Sequence, residues 1–296
     1  MARKSKRKTT TGRKNISKGR DIWNRMTRNV NAVIGMVIVI ILVFVAIFAD
    51  KLVDYDTMVV KPNVLERLQQ PSTAHLLGTD ELGRDVLARL IYGSRMSLLI
   101  GVLAVIFAMV LGIIAGAAAG YFGGTVDMII MRVCDMLDSV PSFLLAITIT
   151  AAFGTSLFNL MLAIGLGSFP GKARIIRGQI LTIRNEEYVE AGRAMGARSW
   201  QIIGFHILPN CIAVIIVQFT LKIAGGILTA STLSFLGLGV QPPDPEWGAM
   251  LSGGRTYLLD NSYLTLYPGL CIMLTILAFN MMGDGLRDAL DPRLKR

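Results

Sequence analysis

Residues 96–119 read MSLLIGVLAVIFAMVLGIIAGAAA, with Ser97 the only polar side chain among them. About 20 consecutive apolar residues in an α-helix cross the hydrocarbon core of a bilayer, so the stretch predicts a membrane span. It also carries a small residue at every fourth position: Ala104, Ala108, Gly112 and Gly116, with Gly120 just beyond its end. Small residues on one helix face let a neighbouring backbone come close in lipid. The stripe predicts a tightly packed helix pair without naming the partner.

Five further apolar stretches follow the same logic. Residues 32–49 lack any polar side chain, and Asp50-Lys51 ends the run. The run is longer than the apolar core of a signal peptide, so it reads as an uncleaved first span. The others are 136–153, with Pro141 near its inner end; 157–169, stopped by Pro170-Gly171; 211–230; and 264–282, with Pro268 near its start. The fold class is thus an all-α membrane protein with six transmembrane helices. The division is a basic tail (1–30), a first span (31–50), an external loop (51–95), a five-helix core (96–283) containing a cytoplasmic loop (170–209), and a C-terminal tail (284–296). Composition agrees, since the 296 residues are 53% hydrophobic and 17% charged, against about 25% charged in a soluble domain.

The net charge of +10 is local. Arg3, Lys4, Lys6, Arg7, Lys8, Arg13, Lys14, Lys18, Arg20, Arg25 and Arg28 crowd the first 30 residues beside a single acid, Asp21. Such a tail could bind nucleic acid. A membrane helix follows it directly, so the preferred reading is a cytoplasmic anchor attracted to membrane lipid, with no nucleic-acid partner. An inner N-terminus leaves outside only Lys51, Lys61, Arg67, Arg84, Arg89, Arg95 and Arg255, and this asymmetry predicts both termini in the cytoplasm. Cys134, Cys211 and Cys271 form no CxxC pair, and His75 and His206 stand far apart, so neither disulfides nor a metal site is expected. Asp80, Glu81 and Asp85 read as a structured charged loop, Trp247 as an interfacial anchor, and Arg132 with Asp135 as an ion pair on one helix face.

The inner loop holds a helix–glycine–helix elbow at 185–209. Asn185 predicts an N-cap, Glu186 and Glu187 suit the positive helix end, Arg193 sits in the last turn, and Gly196 suits a left-handed C-terminal residue. Ser199 then caps a second helix, 200–207, which meets Pro209. Physically this could be a connector or a docking element.

The run Glu190-Ala191-Gly192-x3-Gly196-x9-His206-x-Leu208-Pro209 resembles the EAA signature of ABC importer permeases. Gly192 replaces the third Ala and His206 the Ile; His206-Ile207-Leu208-Pro209-Asn210 is similar to the form used in the dipeptide/oligopeptide/nickel importer family. Further segments resemble that family: 75–86 with 89–95, Asp127, Arg132 and Asp135, 233–248, and the closing 290–295. The family often has Glu where Ala230 stands. The resemblance, to the second (DppC/OppC-like) permease subunit, implies the type I ABC importer permease fold. It also implies a bacterial or archaeal cell membrane location and coupling to an ATPase through Glu190, Ala191, Gly192, Arg193, Gly196, Leu208 and Pro209. Glu190 would contact the ATPase, Ala191 and Gly192 would allow close approach, and Gly196 would form the turn. The implied partners are a second permease in a heterodimer, two ATP-binding subunits and an extracellular solute-binding protein. The cargo remains open among dipeptides, longer peptides and nickel chelates.

Lys222 and Gln218 lie four apart within the fifth span. A charge there faces either a translocation path or a structural partner, and Asn280 in the sixth span is a further path candidate. No catalytic residue is expected. Gly171-Lys172 lacks the P-loop glycine, Leu166 standing in its place, and Ala173 replaces Ser/Thr. No cofactor is therefore expected on this chain, and ATP-Mg belongs on partner subunits. A secondary transporter without an ATPase and a membrane scaffold are the competing classes.

Overall fold

The computed structural model describes residues 18–290; most of the basic tail and the closing 291–296 run lie outside them. The chain is helical: α1 (Lys18–Met26), α2 (Val30–Ile47), α3 (Ala49–Leu52), α4 (Val86–Phe122), α5 (Gly124–Asp138), α6 (Ser142–Phe153), α7 (Leu157–Ile183), α8 (Glu187–Ala194), α9 (Ser199–Gln201), α10 (Leu208–Phe235), α11 (Trp247–Gly254) and α12 (Tyr263–Leu290). Among the described residues, four stretches are long and apolar enough to cross a membrane: Val30–Ile47, Val86–Phe122, Ser199–Phe235 and Tyr263–Leu290. A fifth exists only if α5 and α6, bent by 81°, count together.

The small-residue stripe decides how the core assembles. Its partner is α7. A Cβ added to Gly112 would lie 2.7 Å from Lys172 Cβ, one on Gly116 2.5 Å from the Ala173 carbonyl oxygen, and one on Gly120 3.0 Å from Ile180 Cβ. The constant offset means that α4 and α7 run parallel with their backbones nearly touching. α10 meets α4 in the same way higher up, since a Cβ on Gly226 would lie 3.0 Å from the Gly101 carbonyl oxygen. On the far side, Gly35 of α2 fits against Ala278 and Met281 of α12.

Three expected boundaries move. The 157–169 span does not stop at Pro170. The proline is buried inside α7, which continues to Ile183. Proline deprives the Leu166 carbonyl of its donor. Contacts with α4 on both sides of Pro170, Gly165 against Phe107 and Lys172 against Gly112, hold the helix on course. The 136–153 span is broken instead, because Pro141 is extended and starts α6 as its N-cap. α4 begins at Val86, well before Met96, because Asp85 caps it by accepting the Ala88 N–H at 2.8 Å.

Residues 53–85 form a cap over the start of α4. Asp80 accepts Arg84 Nε at 2.7 Å together with two backbone N–H groups, Arg89 donates to the Val59 carbonyl at 2.8 Å, and His75 Nδ1 lies 2.9 Å from Asp85. The Tyr55 hydroxyl donates to Asp244. Burial, reinforced by that hydrogen bond, pushes Tyr55 up to about 12, so it stays a donor across physiological pH. Trp247 is not an interfacial anchor. It is 1% exposed and donates Nε1–H to the Leu90 carbonyl at 3.0 Å. α11 lies against α4, and Gly93 leaves room for the indole, 3.1 Å from its Cδ1 to the Cβ that Gly93 lacks. Fully buried Glu246 caps α11 through the Ala249 N–H and accepts the Ser97 hydroxyl.

Gly116→Leu should separate α4 from α7 and destabilise the fold by roughly 1–3 kcal/mol. Gly178→Ala, with nothing within 4 Å, should be neutral or slightly stabilising. Thermal melts of the two purified variants against wild type check the contrast.

Candidate functional site

The elbow begins one residue later than its sequence suggests. α7 reaches Ile183, and Glu186 N–H donates back to the Ile183 carbonyl at 3.0 Å, so Asn185 is used up in the turn and Glu186 becomes the N-cap of α8. α8 turns Val189 and Gly192 inward and leaves Glu190, Ala191 and Arg193 exposed. Val189 packs with Ile176 and Ile180 of α7 and with Ile202 and Ile207 beyond the Gly196 turn. Gly192 lies 3.8 Å, measured from the Cβ it lacks, from the His206 ring. The room that Gly192 makes therefore serves the packing of the elbow on itself.

Gly196 ends the turn with φ at +80°, a left-handed conformation that costs a side-chain-bearing residue. It is exposed, as are Met195 and Trp200. The second helix is capped at Arg198, not Ser199: Arg198 N–H donates to Gln201 Oε1 at 2.8 Å. The helix does not stop at Pro209. A wide π-type turn at Ile202–Ile207 leads straight into α10, with Pro209 in its first turn, where a missing N–H is cheap. Leu208 is half-buried and Pro209 exposed.

Ion pairs anchor α7, which leads into the elbow, to α5. Arg177 of α7 holds Asp127 of α5 with two bonds of 2.5 and 2.6 Å. Arg174 reaches Asp135 at 2.9 Å and also pairs with Asp138. The expected Arg132–Asp135 pair is absent because Asp135 is taken by Arg174. Arg184 donates to the Gly120 carbonyl at 3.0 Å, and the Arg193 guanidinium stacks 5.2 Å from the Tyr121 ring. Arg193, exposed as it is, thus also ties α8 to the end of α4.

The path candidates do not share one cavity. Lys222 lines a pocket of about 180 Å³ between α4, α6, α7 and α10. Asn280 lines a separate, apolar cleft of about 570 Å³ between α10, α11 and α12. Gln218 is half-buried and is not among the residues lining either space.

An elbow of this build, carried by a membrane-spanning bundle, matches a family described as the binding-protein-dependent transport system inner membrane component, over residues 108–296. The chain belongs to that family. Residues 17–71 also match the N-terminal transmembrane domain of oligopeptide transport permease C. Among similar proteins, the glutathione transport system permease protein GsiD of Pectobacterium atrosepticum is 44% identical over 279 residues, covering 93% of this chain and 91% of that protein. The dipeptide transport system permease protein DppC of Alkalihalophilus pseudofirmus is 44% identical over 280 residues, covering 95% and 91%. The probable D,D-dipeptide transport system permease protein DdpC of Escherichia coli is 44% identical over 264 residues, covering 88% and 87%.

The chain is therefore a multi-pass membrane permease of a binding-protein-dependent transport system. The family model covers the elbow, the ion pairs of α7 and the lining of both cavities except Val105, and the second match covers the cap's first half. Two features of the permease escaped the sequence. Lys172 looked like a loop cation after Pro170, yet it is 4% exposed within α7. Arg174 and Arg177 looked like ordinary positive-inside charge, and the acids that hold them lie far away in sequence. The signal for both was that Lys172, Ala173 and Ile176 continue the face that meets the glycine stripe.

Asp127→Arg should lower the melting temperature of the purified permease by breaking the bidentate pair. The swap Asp127→Arg with Arg177→Asp should recover most of the loss. A thermal shift series over the single and double variants measures it.

Proposed function

We propose that this chain is the second of two related permease subunits in an ATP-driven importer of short peptides. It crosses the membrane six times, with the bent α5–α6 pair counted as one crossing and α7 supplying the one that length and hydropathy alone do not identify. Both termini face the cytoplasm. A partner permease completes the path, two ATP-binding subunits with ATP-Mg sit beneath, and an extracellular binding protein delivers cargo. The chain itself supplies no catalytic group.

The observation that carries this reading is the elbow. Its inner face is welded to α7 and α10 by Val189, Ile202 and Ile207, while Glu190, Ala191 and Gly196 are exposed on its outer face and exposed Arg193 leans on Tyr121. A rigidly backed, exposed helix is what a moving partner can push. Exposed Glu190 offers a carboxylate to a partner cation, an interaction that gains strength as the interface loses water. Because Val189 of α8 packs on Ile202 and Ile207 across the Gly196 turn, and Ile207 leads straight into α10, movement at α8 would reach the middle of the bundle. ATP-driven closure would favour one of two bundle arrangements, and cargo would pass as they exchange. The peptide class is supported by the names of the relatives, which include glutathione, dipeptide and D,D-dipeptide permeases.

Glu190→Lys and Gly196→Pro should preserve membrane insertion but uncouple ATP hydrolysis from uptake. Proline cannot adopt the +80° φ of Gly196. The measurement is ATPase activity and peptide uptake in parallel, in proteoliposomes holding the whole complex. Full uptake by a well-assembled Gly196→Pro complex would remove the elbow from the coupling route.

A further inference from the structure

Two lysines face one pocket with no acid to answer them. Lys172 of α7 and Lys222 of α10 line the same cavity, together with Ser142 at the start of α6, Ser168, Gly226 and Thr229. Lys172 is 4% exposed, and its Nζ donates to the carbonyl and the hydroxyl of Ser168, both at 3.1 Å. Lys222 is exposed at the mouth. Among the described residues, neither lysine forms an ion pair with an Asp or Glu of this chain.

An amine at this depth is costly unless an anion or a set of acceptors offsets it. Ser168 offers acceptors without charge. The first turn of α6 adds to the same sign, since Pro141 gives it no side-chain cap and the free N–H groups begin at Ser142. The pocket is therefore positive on several sides, open where Gly225 lacks a side chain, and supplied with hydroxyls. That suits a carboxylate and repels a cation. Lys222 sits midway along Leu208–Phe235, too deep for a lipid phosphate at the membrane surface to reach.

We propose that this pocket is a carboxylate-binding station for the transported peptide, with Lys222 receiving the terminal carboxylate and Lys172 holding the positive field behind it. The proposal rests on the peptide-importer reading. Its strength has to stay moderate, because a cargo held too tightly would not leave.

The test uses the complete transporter in proteoliposomes, with uptake of dialanine and of dialanine amide measured at concentrations that saturate the binding protein. Lys222 carries the measurement because Lys172 packs against Gly112 and its variants risk the fold. Lys222→Gln should cut uptake of the acid roughly tenfold relative to the amide, and Lys222→Arg should restore the preference. An unchanged acid-to-amide ratio in Lys222→Gln overturns the proposal. So does failure of the Lys222→Gln complex to assemble, which would assign the lysine to a carboxylate of the partner permease. If wild type carries no peptide at all while hydrolysing ATP, the peptide reading itself fails and takes the proposal with it.

Discussion

The whole bundle depends on how closely α4 can approach its neighbours. Lipid tails are as apolar as leucine, so helices in a bilayer gain little by hiding greasy surface from lipid. They associate where backbones can touch, and α4 is shaped for that on two faces. Gly112, Gly116 and Gly120 receive α7, and Gly101 receives Gly226 of α10. With those distances set, α7 carries Arg174 and Arg177 to the acids of α5, Pro170 is tolerated inside a packed helix, and Lys172 is delivered to the interior beside α10.

The stripe was legible from residue spacing alone, and so were the spans at 32–49 and 96–119, because each is a property of one continuous segment. What could not be read locally involved a second segment. Pro170 terminates a helix in isolation but not one braced by α4 before and after the proline. Trp247 has the composition of an interface residue, and only the room at Gly93 and the bond to the Leu90 carbonyl turn it inward. Asn185 is a good cap residue, displaced because α7 runs on as far as Ile183 and the turn falls one residue later.

The elbow was legible in outline for a different reason. Its glycine, its exposed carboxylate and its trailing Leu208-Pro209 form a pattern tied to a shared task, so resemblance found it where propensity left two options. Resemblance did not reveal that Gly192 points inward. That follows from helix geometry once Val189 is known to be buried, because residues three apart share a face.

α4 is unbroken for 37 residues, about 55 Å at the usual helical rise. Its upper end is clamped by Asp85 and Arg89 to the cap, and its lower end by Arg184 and Arg193 to the elbow region. It is a strut spanning the molecule from clamp to clamp, without a joint along its length. Torque applied at either clamp is felt at the other, and one residue inserted between them would set the two attachments about 100° out of phase.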